Sequence, residues 1–240
     1  MKRIVLISIF SLILIIGVAA NSFADRRAYV WTYEYQTMPK GMWELEYYLT
    51  TEVPDKNKSN INTWKHWLEI EYGLTDNWDI SMYQQFKQSN KKTGSDFEYD
   101  GFKIRTRYRI SEKDKLFIDT LLYLEYIRDD DFSKANVLEG KIVLAKDIGN
   151  VNVAYNQIIK QELESDGETE HEYASGVTYA ILPYFKLGLE SKGSYTKEKF
   201  YLGPTVSVAT GKFWVSFGAA FGLNDRSDDI QTRMIFGIPF

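Results

Sequence analysis

The sequence of 240 residues has no cysteine. That excludes disulfide staples, thiolate chemistry, cysteine-based metal sites and a lipoprotein anchor on an N-terminal cysteine. Histidine is nearly absent, with two residues. Neither sign of charge has a large surplus: 29 Lys and Arg against 33 Asp and Glu leave a formal charge of −4. A balance this mild argues against nucleic acid as the main partner. Beyond the first twenty residues there is no long apolar run, and the mean hydropathy is −0.34. A helical membrane protein is therefore excluded past the N-terminus. A membrane barrel is not, because about half of its strand residues face a polar interior. No stretch after residue 25 shows a convincing helical period.

Aromatic residues are plentiful, at 15% with 17 Tyr and 6 Trp; strands and membrane interfaces both favour them. The chain begins with Lys2 and Arg3, then an apolar run from Ile4 to Ala20, then Asn21-Ser22-Phe23-Ala24. Small residues at −3 and −1 relative to a cut after Ala24 give the layout of a secretory signal peptide. The rival is an uncleaved anchor helix, since the run is almost long enough to span a bilayer. The small-residue site and the lack of a basic stop-transfer cluster favour cleavage. The expected division is a signal peptide at 1–24, an N-terminal periplasmic or lumenal segment at 25–41, and a barrel at 42–240.

After that, alternation takes over. Period-two patterns predict strands near 42–53, 63–73, 78–88, 97–110, 115–127, 135–146, 150–162, 170–181, 184–194, 200–210, 213–223 and 229–240. Most are longer than the ~5–6 residues usual in soluble proteins and suit the ~9–11 that a tilted membrane strand needs. Connections alternate in kind. Residues 74–77, 111–114, 147–150, 182–183 and 211–212 are short; 54–62, 89–96, 128–134, 163–169, 196–199 and 224–228 are longer and more polar. Short turns at one end, longer loops at the other and an even strand count describe an all-β, transmembrane, antiparallel up-and-down β-barrel of the outer membrane, with about twelve strands.

The lipid-facing rows follow from the alternation. They hold Trp64, His66, Leu68, Ile70 and Tyr72; Leu116, Ile118, Thr120, Leu122, Leu124 and Tyr126; Phe213, Val215, Phe217, Ala219, Phe221 and Leu223. The facing rows include Lys65, Trp67, Glu69 and Glu71, and Trp214, Ser216, Gly218, Ala220 and Gly222. Gln84, Gln157 and Ser191 fit badly, being polar on the outward row, and Pro204 interrupts a strand. The last strand reads DIQTRMIFGIPF, with Phe236, Ile238 and Phe240 on one row. It resembles the closing strand of Gram-negative outer-membrane proteins. That resemblance implies an assembly signal at Phe236, Ile238 and Phe240 and barrel-assembly machinery as a partner. Near the start, Pro39-Lys40-Gly41 followed by Trp43-Glu44-Leu45-Glu46 resembles the mature N-terminus of small porin-like barrels, including those grouped with phenol-degradation transporters. It implies no catalytic residue. Residues 28–37 could form a thirteenth strand, which would break the even count; a segment tucked into the periplasmic mouth or lumen keeps it.

One strand poses the functional question. In GFKIRTRYRI, Lys103, Arg105, Arg107 and Arg109 fall on every second position, so a basic column is expected to line the lumen. The same alternation turns Glu44, Glu46, Glu69, Glu71, Asp79 and Asp119 inward. Two readings stay open: a charge-paired lattice that holds the wall, and a basic track that guides an anionic solute. The expected function is a porin-like channel or passive transporter for small polar or anionic solutes. The alternatives are a lipid-modifying enzyme and a non-conducting structural or adhesion barrel. His66 sits on the lipid-facing row, and His171 is four strand residues from Ser175, ~13 Å along the chain and too far for a nucleophile–base pair. No catalytic residue, cofactor or metal ligand is therefore expected. Asp129-Asp130-Asp131 and Asp228-Asp229 are expected in solvated outer loops. Outer-membrane lipid and lipopolysaccharide are the expected surroundings. Whether residues 25–41 plug the pore is not legible.

Overall fold

In a computed structural model of the protein, residues 27–240 are described; the expected signal peptide at 1–24 lies outside them. Twelve strands follow in order: β1 Trp43–Val53, β2 Asn62–Thr75, β3 Trp78–Lys91, β4 Gly94–Arg109, β5 Asp119–Arg128, β6 Val137–Ile148, β7 Val151–Glu162, β8 Thr169–Leu182, β9 Phe185–Ser194, β10 Lys199–Ala209, β11 Trp214–Gly222 and β12 Ile230–Pro239. Each pairs antiparallel with its sequence neighbours, and β12 returns to pair with β1. Closure is completed by main chain at the terminal residue: Trp43 N–H donates to Phe240 O at 3.0 Å, and Phe240 N–H to Trp43 O at 2.8 Å. A closed barrel leaves no strand edge unpaired. Phe236 packs on Phe213 with ring centres 5.7 Å apart, and Ile238 and Phe240 are exposed on the outside.

Two expected boundaries are corrected. Residues 115–118 are not strand; β5 starts at Asp119, Ile110 N–H still donates to Thr120 O at 3.1 Å, and 111–118 form a turn without a ladder partner. There the Asp119 carboxylate accepts from Asp114 N–H at 2.8 Å, and Asp114 has φ +64°. Leu116, Phe117 and Ile118 continue the apolar alternation but lie in this turn, exposed. The second correction is at 89–96, read as a loop. The β3–β4 ladder continues through Ser89–Asp96 to Lys91–Gly94 and closes on a two-residue turn. This hairpin tip is exposed on both faces, so its polar residues carry no alternation to read.

The outside is apolar. Leu68, Ile70, Met82, Ile104, Leu122, Leu124, Ile142 and Phe217 all point outward and are each more than two-fifths exposed. A continuous apolar surface of this kind does not face water in a soluble monomer. Rings edge it. Trp43, Trp78 and Tyr108 lie at the end with the short turns, and Trp64, Phe97, Tyr99 and Tyr195 near the end with the loops. On β3, from Trp78 to Gln88, which pairs with Phe97, is ~33 Å along a strand; tilted by ~40° it spans ~25 Å, the height of a lipid-facing band.

The awkward outward residues keep their register. Pairing across Gln157 and Ser191 is regular, as is that of Gln84 with β2; on the β4 side the register shifts one residue later, between Gln85 and Phe86, at Gly101 with φ +106°. Each polar side chain bonds a tyrosine hydroxyl: Tyr99 to Gln84 Oε1 at 2.8 Å, Tyr155 to Gln157 Oε1 at 2.8 Å, Tyr173 with Ser191 Oγ at 2.9 Å. His66 Nδ1 meets Tyr47 Oη the same way at 2.7 Å. In lipid no water can satisfy these groups, so the pairing is what makes them tolerable. Tyr99→Phe removes the donor to Gln84 and should lower stability in urea titration by about 1–2 kcal/mol; an unchanged midpoint would show that the pair contributes nothing. Pro204 lies on β10 without shifting the register on either side.

Candidate functional site

The lumen is occupied. Residues 28–38 run inside the barrel; Ala28, Tyr29, Val30, Thr32 and Met38 are at most 1% exposed. Small inward residues make the room. A Cβ at Gly176 on β8 would fall 2.3 Å from the Tyr29 ring, and one at Gly218 on β11 would fall 2.5 Å from Val30. The wall also supplies hydrogen bonds to this plug. Glu190 on β9 accepts from three successive backbone N–H groups, Val30, Trp31 and Thr32, at 2.8–2.9 Å. Asn156 on β7 accepts from Tyr33 N–H at 2.6 Å and donates to Tyr33 O at 3.0 Å. Ser207 and Ser216 both donate to Arg27 O. Near the turn end Met38 N–H donates to Asp79 at 3.0 Å, and Lys40 bridges Gly73. These bonds settle the backbone polar groups that an irregular segment would otherwise leave unmet.

Beside the plug lies the basic column. Arg107 faces Asp79 directly across the β3–β4 ladder. Its Nε donates to Asp79 at 3.1 Å and its Nη2 at 2.7 Å, and Nη2 also reaches Glu71. Arg105 faces Ser81, which is short enough to let the guanidinium cross β3 to β2. There it forms an ion pair with Glu69 at 2.9 Å and donates to Glu71 and, at 2.7 Å, to Tyr83 Oη. Both arginines, Glu69, Glu71 and Asp79 are at most 2% exposed. Lys103, one turn of the pleat further toward the loops, pairs Glu125 at 2.9 Å and lies 4.4 Å over Trp67. Arg109 departs from the column: it binds Asp76 O and Asn77 Oδ1 at the rim. Asp119 caps the 111–118 turn, and Glu44 and Glu46 take the Trp214 indole N–H and the Tyr48 hydroxyl. So the column and acids do not form one set. Arg105 and Arg107 with Glu69, Glu71 and Asp79 are a lattice. Plug and lattice touch: Tyr33 sits under Arg27 at 4.2 Å, Lys141 at 4.7 Å, and Arg105 and Arg107 at 5.8 Å each, an aromatic ring held by cations.

Above the plug, toward the loops, a vestibule of about 400 Å³ opens. Nine Lys or Arg and six Asp or Glu line it. Lys65 pairs Glu52 at 2.8 Å, Lys141 pairs Glu139 at 2.7 Å, Lys160 pairs Glu172 at 2.7 Å and Lys197 pairs Glu170 at 2.6 Å. Below the plug a smaller cavity, about 130 Å³, includes Glu34, Asp119 and Lys186. Among the described residues neither imidazole is hydrogen-bonded to a serine: His66 holds Tyr47, and His171 uses its backbone.

No protein-family model matches the chain, and no curated protein matches its sequence. Solved structures do. The chain is similar to an outer-membrane channel from Pseudomonas putida F1, with TM-score 0.62, 11% identity and coverage of 88% of this chain and 100% of that one. It is similar to the KdgM porin, solved with disordered oligogalacturonate, at TM-score 0.57, 10% identity, and coverage of 82% and 98%. It is similar to the NanC porin at TM-score 0.54, 12% identity, and coverage of 82% and 98%. At identities this low the likeness shows the fold alone: a closed antiparallel barrel of the kind found in outer-membrane porins.

Sequence reasoning missed Glu190, Asn156, Lys192 and Arg233. Each is an ordinary inward residue of its strand. The available signal was the row Ser216, Gly218, Ala220, whose small side chains leave the lumen unfilled unless something else enters it.

Proposed function

We propose that the protein is a porin-like channel of the outer membrane for small polar or anionic solutes, whose lumen is narrowed by residues 27–40. The short-turn end would face the periplasm and the loop end the exterior, in contact with lipopolysaccharide, with Phe236, Ile238 and Phe240 engaging the barrel-assembly machinery. The observation that carries the reading is the vestibule, which opens at the loop end, carries more cations than carboxylates, and ends on the plug. A cationic lining favours anions. Upstream of its junction with β1 the plug is irregular chain held to the wall by non-covalent contacts, with no disulfide among the described residues, so it can shift without breaking the ladder.

Single-channel recording in planar bilayers tests this, with the full chain and with a chain lacking residues 25–40. The full chain should give low conductance that favours anions, and the shortened chain a larger, steadier current. If both fold and neither conducts, the barrel serves a structural role.

A further inference from the structure

Three cations at the vestibule floor have no carboxylate partner among the described residues. Arg27 Nη1 donates to Tyr48 Oη at 3.1 Å. Lys192 Nζ donates to the side-chain Oε1 of Gln231. Arg233 donates to Thr50 Oγ1 at 2.8 Å and Val30 O at 3.2 Å. Two of them flank one ring, with Lys192 Nζ 4.9 Å and the Arg233 guanidinium 5.9 Å from the centre of Trp31, while Arg27 lies over Tyr33 at 4.2 Å and beside Tyr48 at 5.9 Å. The nearby carboxylates are engaged, Glu52 by Lys65 and Glu172 by Lys160, while Glu46 and Glu69 share the Tyr48 hydroxyl. Asp228 accepts from Gln231 at 2.6 Å and from Tyr201.

This contrasts with the lattice just below, where each guanidinium meets a carboxylate. Grouping uncompensated cations is unfavourable, most of all for the buried Arg27; Lys192 and Arg233 are half-buried and border the vestibule. Three of the lining residues also carry a buried N–H without an acceptor, Arg27 Nε, Trp31 Nε1 and Trp67 Nε1, each closed off from the cavity unless its side chain turns. What the floor presents to the cavity is surplus positive charge. An anion meets that need, and about 400 Å³ of space admits an organic molecule.

We propose that the vestibule floor binds a small organic carboxylate, jointly through the plug (Arg27, Trp31) and the wall (Lys192, Arg233, Trp67), and that the occupant ties the plug to the wall. This rests on the channel reading and sharpens it, by naming the solute class and a site that half belongs to the plug. Because Arg27 and Trp31 leave the site if the plug moves, the carboxylate binds the plugged arrangement better and by linkage stabilises it.

The test uses the full mature protein folded in detergent, at fixed ionic strength. Glucuronate, its neutral counterpart glucose, and sulfate are titrated by calorimetry, and amide exchange is followed at Val30, Trp31, Thr32 and Tyr33. Glucuronate should bind, and glucose should not. Lys192→Gln with Arg233→Gln should weaken binding at least tenfold, while Lys192→Arg keeps it. Exchange at the four amides should slow with glucuronate present. Equal binding of glucose, or unweakened binding by the doubly neutralised protein, overturns the site. Sulfate binding as tightly as glucuronate overturns the carboxylate assignment. Binding without slower exchange overturns the plug's share. Neither measurement needs current to flow, so a barrel that binds but never conducts loses the channel reading alone.

Discussion

Arg107→Gln should cost the folded barrel about 3–5 kcal/mol, the penalty of breaking a buried charge pair from one side. Asp79 would lose its two-pronged partner and Glu71 one of its two arginines, in a region at most 2% exposed. Urea titration in detergent, read by the boiled-versus-unboiled gel shift or by tryptophan fluorescence, measures this. Adding Asp79→Asn to Arg107→Gln should return part of the loss, because the two residues share one interaction and their effects are not additive. On the other face, Ile104→Arg puts a charge toward lipid, at ~2–4 kcal/mol near the midplane. A loss below about 1 kcal/mol for Arg107→Gln, with anion preference falling instead, would mean that this part of the column guides solute and is not a lattice. If Ile104→Arg is tolerated while Arg107→Gln stabilises the barrel, the inside and outside of β4 are exchanged.

Gly218→Leu should release the plug. The position faces the lumen, and even a Cβ there falls 2.5 Å from Val30. The β10–β11 and β11–β12 ladders are backbone and stay intact. The expected results are a several-fold rise in single-channel current and protease cleavage within residues 27–40. Glu190→Ala reaches the same end by another route. It strips the acceptor from three buried N–H groups, at about 1–3 kcal/mol each, and each 1.4 kcal/mol is tenfold in plug occupancy. Current that stays low while residues 27–40 become cleavable would show that the wall, and not the plug, sets the conductance.

The sequence alone determined the wall. A strand's side chains alternate with period two, so twelve rows of alternating character fix which residues face lipid, and a membrane allows strands only in a closed barrel. The rows through Leu68, Ile104 and Phe217, and the terminal row ending at Phe240, were legible for that reason. Alternation fails where both faces meet one medium. The 89–96 hairpin is wet on both sides, and the 111–118 turn carries an apolar pattern with no strand to pair with. The contents of the lumen were a matter for tertiary structure. Which acid meets which arginine depends on register and reach: Arg105 crosses β3 because Ser81 is short, while Arg109 and Asp119 are taken by turns. The plug is the extreme case. Glu190 lies 160 residues from Val30 in sequence. No local pattern can connect them, because the contact exists only once the last strand has closed on the first and the small side chains of β8 and β11 have left a space to fill.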